Sequence, residues 1–304
     1  MFRKFSEIEA YVISHITKKR VALANAHDES SLAALVMAKR KNIVDGTLIG
    51  DSKVILELLS AMNEPASDYE IIHVDNGNDE AVARMTVAMV HNKQVDLPMK
   101  GLMLNSSFLR AILDKRNGLL AEGSLLSAVS VVEYVKENRM LFISDPAINI
   151  SPDFNDKKRI IENAVTLARQ MGYITPKVAV VTPLEIVNPK IPSTVDAHKL
   201  KEANQQGLIK DCIVGGPLAL DNSISIEAAK HKGITDPVAG VADILIMSDL
   251  NMGNVFVKSL LFFAKMTMVG VTVGTSVPVI NTTRSDTVLN KYYGILTSLL
   301  GFKN

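Results

Sequence analysis

The run Val277-Pro-Val-Ile-Asn-Thr-Thr-Arg-Ser-Asp-Thr287 places hydroxyls and a guanidinium where an apolar strand end passes into a helix expected to begin near Ser285. Thr282, Thr283 and Ser285 offer hydroxyl donors, Arg284 offers a two-pronged cation, and helix N-terminal amides attract anions. That is the chemistry of a phosphate site. The same residues also admit a structural account, in which Ser285 caps the helix, Asp286 complements its dipole and Arg284 is merely solvated. Leu104-Asn-Ser-Ser-Phe-Leu-Arg110 repeats the pattern on a smaller scale, with Ser106 or Ser107 able to cap a helix and Arg110 one turn inside it. Two further junctions, Val214-Gly-Gly-Pro-Leu-Ala-Leu-Asp-Asn222 and Asp249-Leu-Asn-Met-Gly-Asn254, read as loops. Their glycines, Gly215, Gly216 and Gly253, let backbone approach a ligand or make tight turns.

What is missing narrows the chemistry. None of the 17 glycines is followed by lysine, so there is no Walker phosphate loop, and no G-x-G-x-x-G follows a strand. None of the six histidines is followed by glutamate, and no G-x-S-x-G elbow presents a serine. The histidines are scattered without ligand spacing and receive no role. With 33 basic against 32 acidic residues and no basic block, phosphate-backbone affinity for nucleic acid has little support. Cys212 is the single cysteine, so no intramolecular disulfide or thiolate cluster can form, which makes the cytoplasm the default compartment.

The elements that must position these junctions alternate. Runs at 20–25, 44–50, 69–74, 99–104 and 140–144 are short and apolar with β-branched content, and helical periodicity lies between the earlier ones, as at 28–40, where Asp28 can cap. Residues 125–134 can pair with 140–144 and interrupt the alternation. A helix over 153–171 is followed by strands at 177–182, 210–214 and 243–247 and helices at 193–205, 221–232 and 251–265, which predicts a parallel sheet. At 304 residues the chain fits two domains. Glu7 and Glu9 interrupt any secretion signal, and the charge-free window Met266–Thr283 holds five threonines and Pro278, better suited to two buried strands and a loop than to a membrane span.

Taken together, these segments resemble the phosphate acetyl/butyryl transferase family, in its butyryl or branched-chain branch. The resemblance runs through Met99-Lys-Gly-Leu, Phe108-Leu-Arg-Ala111, Pro176-Lys-Val-Ala-Val, Val187-Asn-Pro-Lys-Ile-Pro-Ser-Thr194, Gly216-Pro-Leu-Ala-Leu-Asp-Asn222, Ala228-Ala-Lys-His-Lys-Gly-Ile234 and Pro237-Val-Ala-Gly240. It implies an α/β subunit of two domains with a cleft, similar in fold to isocitrate and isopropylmalate dehydrogenases, and a homodimer. The first domain is expected to comprise 1–138 plus 276–304 and the second 139–275. The implied reaction is reversible acyl transfer between coenzyme A and inorganic phosphate, with coenzyme A as a substrate, no further cofactor and no metal.

In that reaction a thiol attacks the acyl-phosphate carbonyl and phosphate leaves. Arg284 and Arg110 are the expected charge stabilisers, and Thr283 stands where the family carries the serine of a Ser-Arg pair. Asp286 is the carboxylate of this loop able to act as a base, because the aspartate some acetyl-specific relatives carry falls on Asn290 here. Substrate binding is assigned to Ser106, Ser107, Thr282, Ser285, Gly215, Gly216, Asn222, Gly253 and Asn254. Gly215 and Asn251-Met252 depart from the acids that relatives often carry at those places. Two rival readings share the resemblance: a nicotinamide-dependent dehydrogenase of the same fold, and a catalytically lapsed protein that still binds coenzyme A.

Overall fold

A computed structural model of the chain describes residues 1–120, 123–283 and 286–302. The strands are β1 (Lys19–Ala24), β2 (Val44–Gly50), β3 (Glu70–His73), β4 (Leu97–Lys100), β5 (Ser127–Tyr134), β6 (Arg139–Ser144), β7 (Lys177–Val181), β8 (Ile213–Leu218), β9 (Ile244–Ile246), β10 (Met268–Val273) and β11 (Ile280–Asn281). The helices are α1 (Phe5–His15), α2 (Glu29–Arg40), α3 (Ser52–Ala61), α4 (Asp79–His91), α5 (Asn105–Ile112), α6 (Phe154–Gln170), α7 (Pro192–Gln205), α8 (Leu220–Ile224), α9 (Ile226–His231), α10 (Leu250–Phe262) and α11 (Val288–Leu299).

The chain forms two compact α/β units. The first comprises Phe5–Ser124 and Val269–Asn304, and the second Met1–Lys4 and Leu125–Met268. These divisions fall at 124/125 and 268/269 rather than at 138/139 and 275/276. The reason is the hairpin: β5 pairs antiparallel with β6, Val129 facing Ser144 and Tyr134 facing Arg139, so its strands stay in one sheet. Met1–Lys4 joins the second unit through the Phe2 amide, which donates to Met171 O at 2.9 Å.

In the first unit the strand order is β11-β4-β1-β2-β3, and every pairing is parallel. Both faces of β1 and β2 are covered: Val21 to Ala24 and Gly46 to Gly50 are all buried, on alternating sides of the sheet. Leu23, Leu48 and Ile49 from the strands and Leu32 and Leu35 from α2 are fully buried. Asp28 caps α2 as expected, its carboxylate accepting from the Ser31 amide. In the second unit the order β5-β6-β9-β7-β8 continues parallel beyond the hairpin.

Three expected elements shift. The strand read at 210–214 lies at Ile213–Leu218, because the Asn204 amide on α7 takes the carbonyls of Ile209 and Cys212, both at 3.0 Å, and holds that stretch as a turn. The helix read over 221–232 breaks at Ser225, which turns extended (φ −120°, ψ 115°) to cap α9 through the Ala228 amide. The strand expected to reach residue 104 stops at Lys100, where Gly101 turns against β1. No helix among the described residues is long and apolar enough to cross a membrane.

Candidate active site

In the first unit β1, β2 and β3 step outward in one direction while β4 and β11 lie on the other side of β1. The chain therefore leaves β1 and β4 in opposite directions, and open parallel sheets bind ligands at the carboxyl ends of such a switch point. Gly101 closes this one. Its amide donates to Ala24 O at 2.8 Å, and a Cβ there would lie 2.5 Å from the carbonyl oxygens of both Ala24 and Asn25. Since backbone cannot yield like a side-chain tip, Gly101→Ala is expected to lower stability by about 1–3 kcal/mol, read as a fall in thermal midpoint. An unchanged midpoint would show that β1 and β4 can separate without cost.

The same edge carries the Asn-Ser-Ser junction. Asn25, at φ 51°, donates from Nδ2 to Asp79 Oδ1 (2.8 Å) and Leu102 O (2.9 Å), and Asp79 Oδ2 accepts from the Leu104 amide (2.9 Å). Leu104 is the N-cap of α5, without a side-chain capping bond, so neither Ser106 nor Ser107 caps the helix. They are its second and third residues, Ser106 exposed and Ser107 buried. Arg110 reaches outward, 69% exposed, and pairs with Glu80 on α4, which Arg84 also meets at 3.4 Å.

On β11 the hydroxyl junction begins where expected. Thr282 is buried and its Oγ1 donates to Lys100 O at 3.0 Å, tying it to the end of β4. The exposed Thr283 and the half-buried Asp286 close a turn on each other: the Thr283 amide donates to Asp286 Oδ2 at 2.7 Å, and the Asp286 amide to Thr283 O at 3.3 Å. Arg284 and Ser285 lie outside the described residues. Helix α11 starts at Val288, later than Ser285, because Thr287 is its cap and accepts from the Asn290 amide at 3.1 Å. Behind this loop, buried Lys291 on α11 donates to Asp28 Oδ2 (2.9 Å), Ser30 Oγ (2.7 Å) and Ser31 Oγ (2.9 Å).

In the second unit the predicted residues have structural occupations. Gly215 and Gly216 are strand residues of β8 and not loop residues. The absent Cβ of Gly215 admits Asp236, whose Oδ1 would stand 2.3 Å from it, and Asp236 also accepts from the Gly216 amide (3.3 Å) and from Lys201 Nζ (2.7 Å). Asn222 is fully buried on α8; its Nδ2 donates to Glu185 Oε1 at 2.5 Å, while its buried Oδ1 has no hydrogen-bond partner. Gly253 and Asn254 lie in the first turns of α10, which Asp249 caps, rather than in a loop. A Cβ on Gly253 would lie 2.7 Å from Asp145 O, and Asn254 Nδ2 donates to Pro146 O at 3.3 Å.

Sequence reasoning passed over two groups. Asp145, buried after β6, accepts from the amides of Ala147 (2.9 Å) and Ile148 (3.1 Å) and from Asn149 Nδ2 (2.6 Å). Burial pushes its carboxyl above the usual range against those bonds. Lys100 is the other, only 4% exposed at the end of β4. Its signal was legible as a lysine interrupting the apolar run Leu97–Leu104. Cys212 is buried, and burial pushes its thiol up to about 12, which suits an inert core residue. Among the described residues no group of three or more His, Cys, Asp or Glu side chains could hold a metal ion.

Residues 69–297 match the family described as Phosphate acetyl/butaryl transferase. The chain is similar to the phosphate butyryltransferase of Clostridium beijerinckii, 40% identical over 305 aligned residues that cover 100% of both chains. It is similar to the phosphate acetyltransferase of Thermotoga maritima to the same degree, 40% over 280 residues, covering 92% of this chain and 94% of the relative. Among solved structures, a branched-chain phosphotransacylase from Enterococcus faecalis V583 superposes with a TM-score of 0.82 at 28% identity, covering 94% of this chain and 99% of that one.

Proposed function

Because the chain belongs to the phosphate acetyl/butyryl transferase family, we propose that it moves a butyryl or branched short acyl group between coenzyme A and inorganic phosphate. The observation that carries this reading is the end-to-end 40% identity with a phosphate butyryltransferase. In one direction the coenzyme A thiol attacks the acyl-phosphate carbonyl, a C–S bond forms, the C–O bond to phosphate breaks, and the thiol proton must leave. No enzyme-bound acyl group is required. Holding the two substrates in a near-attack geometry lowers the barrier by up to about 7–11 kcal/mol.

Arg284 and Arg110 are proposed to stabilise charge on the departing phosphate, and Thr283 to donate its hydroxyl to a phosphoryl or carbonyl oxygen. Asp286 is the proposed base. Its Oδ2 already accepts the Thr283 amide at 2.7 Å, so proton transfer would fall to Oδ1, and the same turn aims Thr283. Ser106, Ser107, Thr282 and Ser285 belong to the substrate-binding part of the proposal. Gly215, Gly216, Asn222, Gly253 and Asn254 belong to it as residues that shape the second unit, since their contacts are with the chain itself. The proposal extends to a cytoplasmic homodimer with no cofactor beyond its coenzyme A substrate. In support of a dimer, α10 leaves Val255 66% and Phe262 60% exposed, with Phe263 just beyond it at 89%.

Free thiol released from butyryl coenzyme A in the presence of phosphate tests the reaction. Release is expected, faster with butyryl or a branched four- to five-carbon acyl than with acetyl. Two relatives of equal identity carry butyryl and acetyl names, so the chain-length series is the informative part. Rates with acetyl equal to or above those with butyryl would reject the acyl assignment alone. A second reading, a lapsed protein that only binds coenzyme A, is motivated by Thr283 in place of the family's serine. Calorimetric binding of coenzyme A without turnover on any chain would establish it.

A further inference from the structure

Among the described residues of the first unit, two serine hydroxyls lie within hydrogen-bond reach of an imidazole, and the two rings carry their protons on opposite sides. At the end of α1, Ser14 Oγ is 2.7 Å from His15 Nδ1. The same nitrogen faces Tyr11 O at 3.2 Å, and a carbonyl oxygen only accepts, so Nδ1 carries the proton. The Ser14 hydroxyl donates its own proton to Ala10 O at 2.7 Å. The nitrogen beside Ser14 therefore has no lone pair with which to act as a base.

Ser52 is the reverse case. It is the first residue of α3, just past the end of β2, and His73 ends the neighbouring strand β3. The Val74 amide donates to Gly50 O at 2.9 Å and holds the two strand ends together. The Ser52 amide donates to His73 Nδ1 at 3.2 Å, and since a backbone N–H can only donate, Nδ1 bears the lone pair. The Ser52 hydroxyl lies 3.0 Å from that nitrogen. The ring proton is left on Nε2, which faces Asp75 Oδ1 at 3.3 Å. A nucleophile is thus in reach of a base, and the base is turned by a carboxylate, which is the arrangement that activates a hydroxyl. The positive end of α3 lies at the same residue and favours negative charge on an oxygen brought there.

We infer that Ser52, His73 and Asp75 form a second acyl site on the first unit, one that hydrolyses small activated acyl compounds through an acyl-serine. His73 is 55% exposed and Asp75 95%, so a substrate is little enclosed and its leaving group must depart readily. Aryl esters and acyl phosphates meet that requirement. Ser52 Oγ attacks the carbonyl carbon and its proton passes to His73 Nδ1. The C–Oγ bond forms, the bond to the leaving oxygen breaks, and His73 hands the proton to that oxygen. Water then adds to the acyl-serine while His73 Nδ1 takes one of its protons, and the carboxylic acid departs as Ser52 regains a proton from His73. The acyl phosphate of the acyl-transfer reading is one such donor, but an aryl ester serves as well, so the two readings can fail separately.

Reaction of the full chain with a fluorophosphonate, read by peptide mass spectrometry, tests the activated hydroxyl. Ser52 is expected to be labelled at least about tenfold faster than Ser14, and His73→Gln to remove the difference. Equal labelling of the two serines, or labelling of Ser52 that survives His73→Gln, overturns the inference.

Hydrolysis of p-nitrophenyl butyrate, followed as released nitrophenolate, tests turnover. Ser52→Ala and His73→Gln should each slow it about a hundredfold, the low end for a lost acid–base partner. Asp75→Asn should slow it about threefold, the scale of an exposed pair, and no change there would remove Asp75 from the site. A rate that falls in His73→Gln but stays in Ser52→Ala sinks the idea, because the imidazole itself would then be the group acylated. Thiol release from butyryl coenzyme A with phosphate should be the same in Ser52→Ala as in the wild type. Its absence from both would fail the acyl-transfer reading and leave the ester and labelling results to decide this one.

Discussion

Arg110→Ala is expected to lower turnover about a hundredfold, and Arg284→Ala to do the same, because a well-placed cation on a departing phosphate is worth about 2–4 kcal/mol in the transition state. For Arg110 the structure makes the test clean. Its guanidinium is 69% exposed and its ion-pair partner Glu80 is 50% exposed, and such surface pairs contribute about 0–1 kcal/mol to stability. The thermal midpoint of Arg110→Ala should therefore stay near that of the wild type while turnover falls. Glu80→Gln separates the two jobs Arg110 can have. If Arg110 only ties α5 to α4, Glu80→Gln loses as much activity as Arg110→Ala. If it meets phosphate, Glu80→Gln keeps activity or raises it. Arg284→Lys keeps the charge and loses the fork, so near-normal rates in that variant would reduce Arg284 to a diffuse positive field.

Asp28→Asn should produce the largest loss of stability. Asparagine caps a helix about as well as aspartate, so the amide of Ser31 keeps its acceptor and the substitution isolates the charge. What it leaves behind is Lys291, 2% exposed, with its counter-charge gone. Breaking a buried pair in this way costs about 3–5 kcal/mol. Adding Lys291→Met should return much of that, because removing both charges leaves no uncompensated ion. A double variant no more stable than Asp28→Asn alone would mean that the serines, rather than the carboxylate, hold the ammonium.

The pH dependence follows from the direction of the shift. Burial alone would raise the Asp28 carboxyl, but hydrogen bonds from Ser31 and Lys291, the Lys291 charge and the Ser30 hydroxyl outweigh it and hold it below the ordinary value. A carboxylate lowered on folding contributes stability that is complete above its unfolded value of about 3.9 and is lost as pH falls through the folded one. The gap between wild type and Asp28→Asn should accordingly be full at neutral pH and close in acid.

How far the sequence reads depended on whether a residue's partner was local. Asp28 stands directly before a helical pattern and could be recognised as a cap, and the pairing of 125–134 with 140–144 followed from two adjacent apolar runs. The start of α11 did not follow, because Thr282, Thr283, Asp286 and Thr287 are all competent caps and contacts of the folded chain choose among them. Thr282 is drawn to Lys100 O and Asp286 to the Thr283 amide, which leaves Thr287 for the helix. Ser106 and Ser107 failed as caps for a distant reason: Asp79, 25 residues upstream, takes the Leu104 amide. The glycine pair at 215–216 looked like a turn because glycine usually marks one. Here it makes room in a strand for Asp236, a neighbour that no local pattern announces.

The first unit is built from two stretches of chain, Phe5–Ser124 and Val269–Asn304, and this imposes an order on its birth. Asp28 leaves the ribosome 263 residues before Lys291, which at about 5–20 residues per second is a wait of roughly 13 to 53 s. Throughout that interval α2 lacks α11, and once β4 has emerged it offers a bare edge where β11 will later pair. Meanwhile every residue of the second unit has emerged by Met268, including the Met1–Lys4 segment that was made before the first unit. The second unit can thus mature ahead of the first. The unfinished sheet edge, apolar and unpaired, is the part of the nascent chain that a chaperone would have to shield.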